Sequence, residues 1–353
     1  MQNNRSVNAP KKALSLFDSL CIIIGIIIGA GIYETTPAIA GSMADWKGIL
    51  GIWLLGGLLA LAGALCYAEL ATAYPYEGGD YAYQTRAYGK WAGYLFGWSQ
   101  LVIIRPGDIA LMAFVFARYA AALYAPFDNI RPLYAVLAVA VLTSINILGV
   151  KEGKWVQNLL TLIKSLGLLV IVVGGLMAPP APLPAETSSL SVQGFNLALI
   201  LVLFTFGGWN EIAYVSAEVR SPERNIVRSL VLGTVLVTLV YVAVNGAFLH
   251  ALGRDGMASS RAIATDTMAK VIPGMAEKVI AIIICMSALG AVNGLIFTGA
   301  RVSYALGTEH PLFRGLGRWS PRLGTPVLSL CTQGGLSLLI ILLAGSFLED
   351  LYE

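Results

Sequence analysis

Charged residues and histidines are scarce in this 353-residue chain, and each scarcity excludes a class of protein. Aspartate, glutamate, lysine and arginine make up 12% of the sequence, half of the roughly 25% found in soluble domains. The lysines and arginines stand singly between apolar stretches, so the chain has no basic run of the kind that binds nucleic acid. The two histidines, His250 and His310, are too few for a histidine-based metal or catalytic cluster. We therefore expect no catalytic residue, no metal and no cofactor.

Cysteine is also rare, whereas apolar residues are in excess. The four cysteines, Cys21, Cys66, Cys285 and Cys331, lie in or beside apolar runs without CxxC spacing, which argues against a disulfide scaffold and for small core residues. Hydrophobic residues reach 57%, and the mean hydropathy is +0.74. A soluble fold cannot keep that much apolar surface away from water. The composition indicates a multi-pass membrane protein.

Nine apolar stretches are long enough to cross a bilayer, which takes about 20 residues per helix. No strand-like alternation competes with them, so the sequence predicts an all-α fold. The predicted spans are Leu16–Met43, Gly48–Tyr74, Trp91–Tyr124, Leu133–Gly149, Trp155–Met177, Asn196–Glu218, Ser229–Leu252, Met275–Ala305 and Pro326–Ser346.

The distribution of basic residues predicts the orientation of these spans. With the N-terminus inside, the inner segments hold fourteen lysines and arginines and the outer segments hold six. Because cytoplasmic loops carry the excess of basic residues, the N-terminus is predicted to be cytoplasmic. The predicted organisation is a cytoplasmic tail (1–15), a first repeat of five spans (16–178), an extracytoplasmic proline-rich linker (179–195), a second repeat of four spans (196–346) and a C-terminal remnant (347–353).

Two spans contain glycine interruptions at corresponding positions of the two halves. The first span carries Gly29-Ala30-Gly31, and the sixth carries Gly207-Gly208 within Thr205–Asn210. Matched interruptions of this kind are typical of transporters built from inverted repeats, whose substrate site lies at the unwound helices. An unwound helix offers N–H groups to a carboxylate and carbonyls to an ammonium, which together suit an α-amino acid.

Several motifs resemble those of the amino acid–polyamine–organocation (APC) superfamily, in its L-type amino acid transporter branch. The similar segments are Gly29–Tyr33 (GAGIY), Leu65–Gly89, Ile103–Pro106 (IIRP), Val156–Lys164 (VQNLLTLIK), Phe204–Glu223 and Ala291–Arg301. The resemblance implies a five-plus-five inverted-repeat, LeuT-like fold with broken first and sixth helices. It also implies twelve spans, so that residues 347–353 look like the segment before a missing tenth helix and the second repeat is incomplete.

The resemblance further implies a substrate site made by both breaks, with Phe204 as the gate over the substrate. The implied site residues are Ile27, Ile28, Gly29, Ala30, Gly31, Phe204, Thr205, Phe206 and Gly207. Lys164, in the fifth span, is implied to take the place of the sodium ion that bridges the first and eighth spans in sodium-coupled relatives. Its ammonium would then face the carbonyls around Gly29.

Other charges within the spans are candidates for function or for structural pairing. Arg105 and Asp108 stand three residues apart on the third span, so we predict a buried structural ion pair between them. Arg118 is expected to reach the outer interface, and Asn293 to bridge helices through hydrogen bonds. Glu34 lies just past the first break, and Glu211 lies on the cytoplasmic half of the sixth span.

The sequence-based hypothesis is a secondary active transporter in the plasma or inner membrane, not an enzyme, that works by alternating access. Its expected activity is sodium-independent exchange of neutral amino acids. Two alternatives stay open: a cationic amino acid or polyamine permease, which Glu34 or Glu211 in the pocket would favour, and a truncated product that does not transport. The resemblance implies no disulfide-linked heavy chain, because the loop 125–131 lacks the cysteine that joins eukaryotic L-type relatives to a glycoprotein. The oligomeric state is left open.

Overall fold

The computed structural model describes residues 10–127, 129–182 and 191–352, with side chains up to residue 345. Within these residues the chain is helical, and its sole strand-like feature is an isolated bridge between Leu14 and Val219. The prediction of an all-α fold is therefore confirmed.

The first half of the chain contains the first five predicted spans, the first of them in three pieces. Its helices are α1 (Leu16–Ile27), α2 (Gly31–Glu34), α3 (Thr36–Ser42), α4 (Trp46–Ala73), α5 (Asp80–Tyr88), α6 (Lys90–Ser99), α7 (Arg105–Leu123), α8 (Arg131–Leu148) and α9 (Val150–Met177). A π-helical turn, Gln100–Ile104, joins α6 to α7 and makes one continuous span of them.

The second half contains the remaining four spans. Its helices are α10 (Val192–Thr205), a 3₁₀ helix (Glu211–Glu218), α11 (Pro222–Ser259), α12 (Ile263–Ala269), α13 (Ala276–Glu309), a short 3₁₀ turn (Pro311–Phe313) and α14 (Val327–Tyr352). The backbone of α11 leaves helical geometry at Gly253, where φ is 68°.

Two boundaries differ from the sequence prediction. Eight helices of the described chain are long and apolar enough to cross a membrane, whereas nine spans were predicted. The difference is the sixth span, because its helix ends after 14 residues at Thr205 and continues only as the 3₁₀ helix Glu211–Glu218. The last helix also continues to Tyr352, past the predicted end at Ser346.

Local sequence signals explain where several helices begin. Ser15 and Asp18 form a capping box at α1, in which Ser15 Oγ accepts from the Asp18 N–H and the Asp18 carboxylate accepts from the Ser15 N–H. Asp45 caps α4 through the Gly48 N–H, and Ser191 caps α10 through the Gly194 N–H.

The broken first span lies in the centre of the bundle. Helix α1 packs against α9, α11 and α13, and α13 in turn packs against α7. The Asp18 carboxylate accepts from Lys154 Nζ at 2.8 Å and from Asn158 Nδ2 at 2.7 Å, which ties the start of α1 to α9. This packing surrounds the first break with side chains from three other spans.

Candidate functional site

The first break separates α1 from α2 by three residues, Ile28 to Ala30. The carbonyls left free at the end of α1 accept hydrogen bonds from other spans. Tyr241 Oη of α11 donates to the Ile27 carbonyl at 2.8 Å, and Ser287 Oγ of α13 donates to the Ile28 carbonyl at 3.0 Å. Because an unpaired carbonyl inside a membrane costs several kcal/mol, these hydroxyls make the break tolerable.

Lys164 of α9 lies directly beside this break and is fully buried. Its Nζ donates to the carbonyls of Gly25 at 2.7 Å, Ile28 at 2.9 Å and Ser287 at 2.8 Å. All three ammonium donors are thus used, and Lys164 makes no ion pair with any described residue. The ammonium thus lies between the first and eighth spans, at the carbonyls near Gly29, and its role in place of a sodium ion stays a prediction.

The second break follows α10 and depends on a glycine. Gly208 has a φ of 100°, which side chains of L-amino acids rarely adopt. A Cβ at this position would also lie 2.6 Å from Ile26 Cγ2. Glycine is therefore required here both by backbone geometry and by the close approach of α1.

The two breaks meet through Gly31 and Thr205. Thr35 Oγ1 and Thr205 Oγ1 share a hydrogen bond of 2.9 Å, and a Cβ on Gly31 would lie 3.1 Å from Thr205 Cγ2. A Cβ on Gly29 would make only ordinary contacts, because the nearest side-chain atom to that position is Met112 Sδ at 3.9 Å. The N–H groups of Tyr33 and Glu34 donate to the Ala30 carbonyl. Those of Gly31 and Ile32, the first two of α2, remain available to a bound carboxylate.

The two phenylalanines of the second break occupy different environments. Phe206 is fully buried, with its ring 6.2 Å from that of Trp53 and 5.2 Å from that of Tyr241. Phe204 leaves 64% of its surface exposed. The aromatic cluster beside the breaks is therefore built on Phe206, and the role of Phe204 as a gate stays a prediction.

The partner of Arg105 differs from the sequence prediction. Its guanidinium forms a two-point ion pair with Glu211, in which Nη2 lies 2.8 Å from Oε1 and Nη1 donates to Oε2 at 3.0 Å. Asp108, the predicted partner, makes no ion pair with any described residue. Glu211 lies at the start of the 3₁₀ helix that follows the second break. From there its carboxylate faces the planar guanidinium and accepts two hydrogen bonds from it.

Two other glutamates each have an arginine partner. Glu34 pairs with Arg118 and accepts from Tyr119 Oη, at a half-exposed position. Arg301 and Glu218 form a buried pair at 2.7 Å, near the other end of the bundle. Arg118 thus has an acidic partner that sequence reasoning did not assign to it.

Asn293 bridges three spans, as expected. It accepts from Asn146 Nδ2 at 2.8 Å and donates to Gln157 Oε1 at 2.8 Å. Sequence reasoning missed the hydroxyls of Tyr241 and Ser287 at the first break. No local signal distinguishes these hydroxyls from the many others on apolar helices.

The sequence matches the family model described as "Amino acid permease" over residues 14–352. The chain belongs to the amino acid permease family. This permease is therefore a membrane transporter rather than an enzyme, and the APC resemblance is confirmed.

Characterised relatives match this permease over most of its length. It is 33% identical over 341 residues to the serine/threonine exchanger SteT of Bacillus subtilis, covering 96% of this chain and 78% of that protein. It is 30% identical to the b(0,+)-type amino acid transporter 1 of Mus musculus, covering 94% and 70%. It is 31% identical to the Asc-type amino acid transporter 1 of Mus musculus, covering 96% and 66%.

A solved transporter shares the fold. The structure described as the substrate-bound outward-open state of a Na⁺-coupled sialic acid symporter superposes with a TM-score of 0.66, at 12% identity. The match covers 94% of this chain and 73% of that one. At this identity the likeness speaks for the fold alone, and it agrees with the predicted inverted-repeat transporter fold.

Proposed function

We propose that this permease exchanges neutral α-amino acids across the cell membrane by alternating access, without sodium. The substrate would lie over Gly29–Gly31 and beside Thr205–Gly207. Its carboxylate would accept from the free N–H groups at the start of α2, and carbonyls at the end of α10 would accept from its ammonium. The similarity to an exchanger of serine and threonine supports exchange as the mode of transport.

The observation that supports a neutral substrate is that both carboxylates proposed to favour a cationic one, Glu34 and Glu211, are paired. Glu211 is buried and held by Arg105 at two points, and Glu34 is paired with Arg118. A cationic side chain therefore finds neither carboxylate unpaired. This favours a neutral amino acid over the cationic amino acid or polyamine alternative.

The contacts of Lys164 support independence from sodium. An ammonium that donates to the carbonyls of Gly25, Ile28 and Ser287 supplies a fixed positive charge between the first and eighth spans. A mobile cation has no need to bind there, because the carbonyls already have their partner.

Counterflow in proteoliposomes tests this proposal. The purified chain is reconstituted, the vesicles are loaded with serine, threonine, alanine or leucine, and uptake of the labelled amino acid is measured in sodium and in choline buffer. We expect uptake that depends on the internal amino acid and is equal in both buffers. Uptake of lysine or of a polyamine at rates matching those of the neutral amino acids would contradict the proposed cargo.

We also propose a cytoplasmic N-terminus and operation without a disulfide-linked partner. The excess of lysine and arginine in the inner segments supports the orientation. All four cysteines are free and lie within spans. A reducible adduct of higher mass on a non-reducing gel of native membranes would contradict the second point.

A further inference from the structure

The guanidinium of Arg105 occupies a site with the features of a binding pocket for a cation. Both oxygens of the Glu211 carboxylate face it, and Thr298 Oγ1 donates to Glu211 Oε2 at 2.6 Å. Gln100 Oε1 accepts from Arg105 Nε at 3.0 Å. The guanidinium carbon lies 4.8 Å from the centre of the Tyr214 ring. A carboxylate, an amide oxygen and an aromatic ring are the groups that bind guanidinium and ammonium ligands.

We call this arrangement the cation cage, formed by Gln100, Glu211, Tyr214 and Thr298. The π-helical turn Gln100–Ile104 precedes Arg105 directly and brings Gln100 within reach of its side chain. Such turns occur often at functional sites. Arg105 is 3% exposed, so it fills the cage and keeps water out of it.

The cation cage lies along the same face of α7 as Met112, whose sulfur lies beside the first break at Gly29. Arg105, Asp108 and Met112 follow one another at spacings of three and four residues, which places them on one side of a helix. Met112 is the residue whose sulfur lies nearest to the Gly29 Cβ position. Seven residues of helix span roughly 10 Å, a distance that the extended side chain of a bound lysine or arginine covers in large part.

We propose that Arg105 is a specificity-determining residue that fills a cation subsite and thereby excludes cationic amino acids. The wild-type chain accepts neutral amino acids because its own guanidinium neutralises Glu211 and also offsets the charge of Asp108, three residues further along the same face. Once Arg105 loses its charge, the side chain of a substrate lysine or arginine takes its place against Glu211. This inference rests on the proposed substrate site at the two breaks.

Binding to the purified full chain tests the inference through a matched pair of variants. Arg105→Gln removes the charge and keeps a polar side chain, and Arg254→Gln makes the same change at the pair with Asp255 on α11. Displacement of labelled serine by lysine, arginine, citrulline and norleucine is measured for each protein. Citrulline and norleucine are neutral and similar in length to arginine and lysine, so they separate charge from size.

We expect Arg105→Gln to bind lysine and arginine about 10- to 100-fold more tightly than the wild type does, as for a charge-assisted hydrogen bond gained. Citrulline and norleucine should gain little, and Arg254→Gln should behave as the wild type. The double variant R105Q/E211Q should lose the gain. An Arg105→Gln protein that binds serine but gains nothing for lysine or arginine overturns the inference, as does an equal gain in the double variant.

Failure of the wild type to bind any neutral amino acid would instead count against the proposed function, because that measurement does not involve the cage. If Arg105→Gln cannot be purified, Arg105→Ala is extracted with and without guanidinium, using urea as the uncharged control. Recovery of monodisperse protein with guanidinium alone supports a cation cage. No recovery with guanidinium overturns it.

Discussion

A single ammonium, that of Lys164, holds the first break against α13. We predict that Lys164→Ala impairs exchange much more than expression and makes the remaining exchange sensitive to sodium. The carbonyls of Gly25, Ile28 and Ser287 then lose the ammonium, although Ile28 keeps the Ser287 hydroxyl, and a carbonyl left unpaired costs about 1–3 kcal/mol. Exchange in sodium and in choline buffer measures the effect.

Lys154→Ala serves as the control for this prediction, because Lys154 is a lysine of the same helix with a carboxylate partner, Asp18. It should lower stability without creating a response to sodium. If Lys164→Ala exchanged at the parent rate with no response to sodium, Lys164 would have a structural role only.

Glu77 lies in the loop between α4 and α5, and its carboxyl group should make the free energy of unfolding depend on pH. Burial raises the pKa of its carboxyl group, and the neighbouring Glu218 carboxylate adds to the rise while Arg301 opposes it. The folded protein therefore holds this proton more tightly than the unfolded chain does. The contribution of this group to the free energy of unfolding is fully present at acidic pH and is lost as the pH rises through the raised pKa.

We predict that Glu77→Gln removes this loss, so that the variant unfolds at a higher temperature than the parent at neutral pH. Below the usual titration range of glutamate the two proteins should unfold at similar temperatures. Thermal unfolding in detergent between acidic and neutral pH measures the difference. Glu277→Gln, an equal change of charge at an exposed position, is the control. Parallel curves for parent and Glu77→Gln would refute the prediction.

At the level of elements, the two broken spans depend on each other through close backbone contacts. Gly208 of the sixth span illustrates this, because it has a φ of 100° and lies close to Ile26 of the first span. We predict that Gly208→Ala abolishes substrate binding, since the Cβ adds strain of about 1–3 kcal/mol and displaces α1. Binding of a labelled neutral amino acid to the purified variant measures this.

Gly51→Ala is the matched control, since Gly51 lies within α4 and a Cβ there would have no atom within 4 Å. This substitution should preserve binding and raise stability by up to about 1 kcal/mol. Binding by Gly208→Ala with parent affinity would show that the second break does not shape the site.

At the level of the whole molecule, the N-terminal tail and the end of the sixth span lie on one side of the bundle. The Leu14 N–H donates to the Glu218 carbonyl at 2.9 Å, and the Arg220 N–H donates to the Leu14 carbonyl at 2.8 Å. The buried pair of Arg301 with Glu218 lies beside this bridge. These contacts join the first, sixth and eighth spans at one end of the bundle, which we propose is the cytoplasmic end.

Cysteine labelling in a background without native cysteines tests that orientation. Arg131→Cys and Lys151→Cys place a thiol at exposed positions near opposite ends of α8. With the N-terminus inside, an impermeant maleimide added to intact cells should label the first and spare the second. The reverse pattern would place the N-terminus outside.

The sequence by itself determined the class of protein, the helical spans and the positions of both breaks. These are local properties: apolar length predicts a span, and glycine at residues 29, 31, 207 and 208 weakens a helix wherever it packs. The sequence also predicted that Asn293 forms hydrogen bonds between helices, because a buried amide needs a partner, but it did not identify that partner.

Only the tertiary structure decided which charged groups neutralise one another. Arg105 and Asp108 are neighbours on one helix, yet the guanidinium pairs with Glu211, 106 residues away. The same holds for Lys164, whose three acceptors are main-chain carbonyls that carry no signal in the amino-acid sequence. Within a membrane the cost of an unpaired charge is large, so the pairing follows whichever partners the packed helices bring within hydrogen-bond distance.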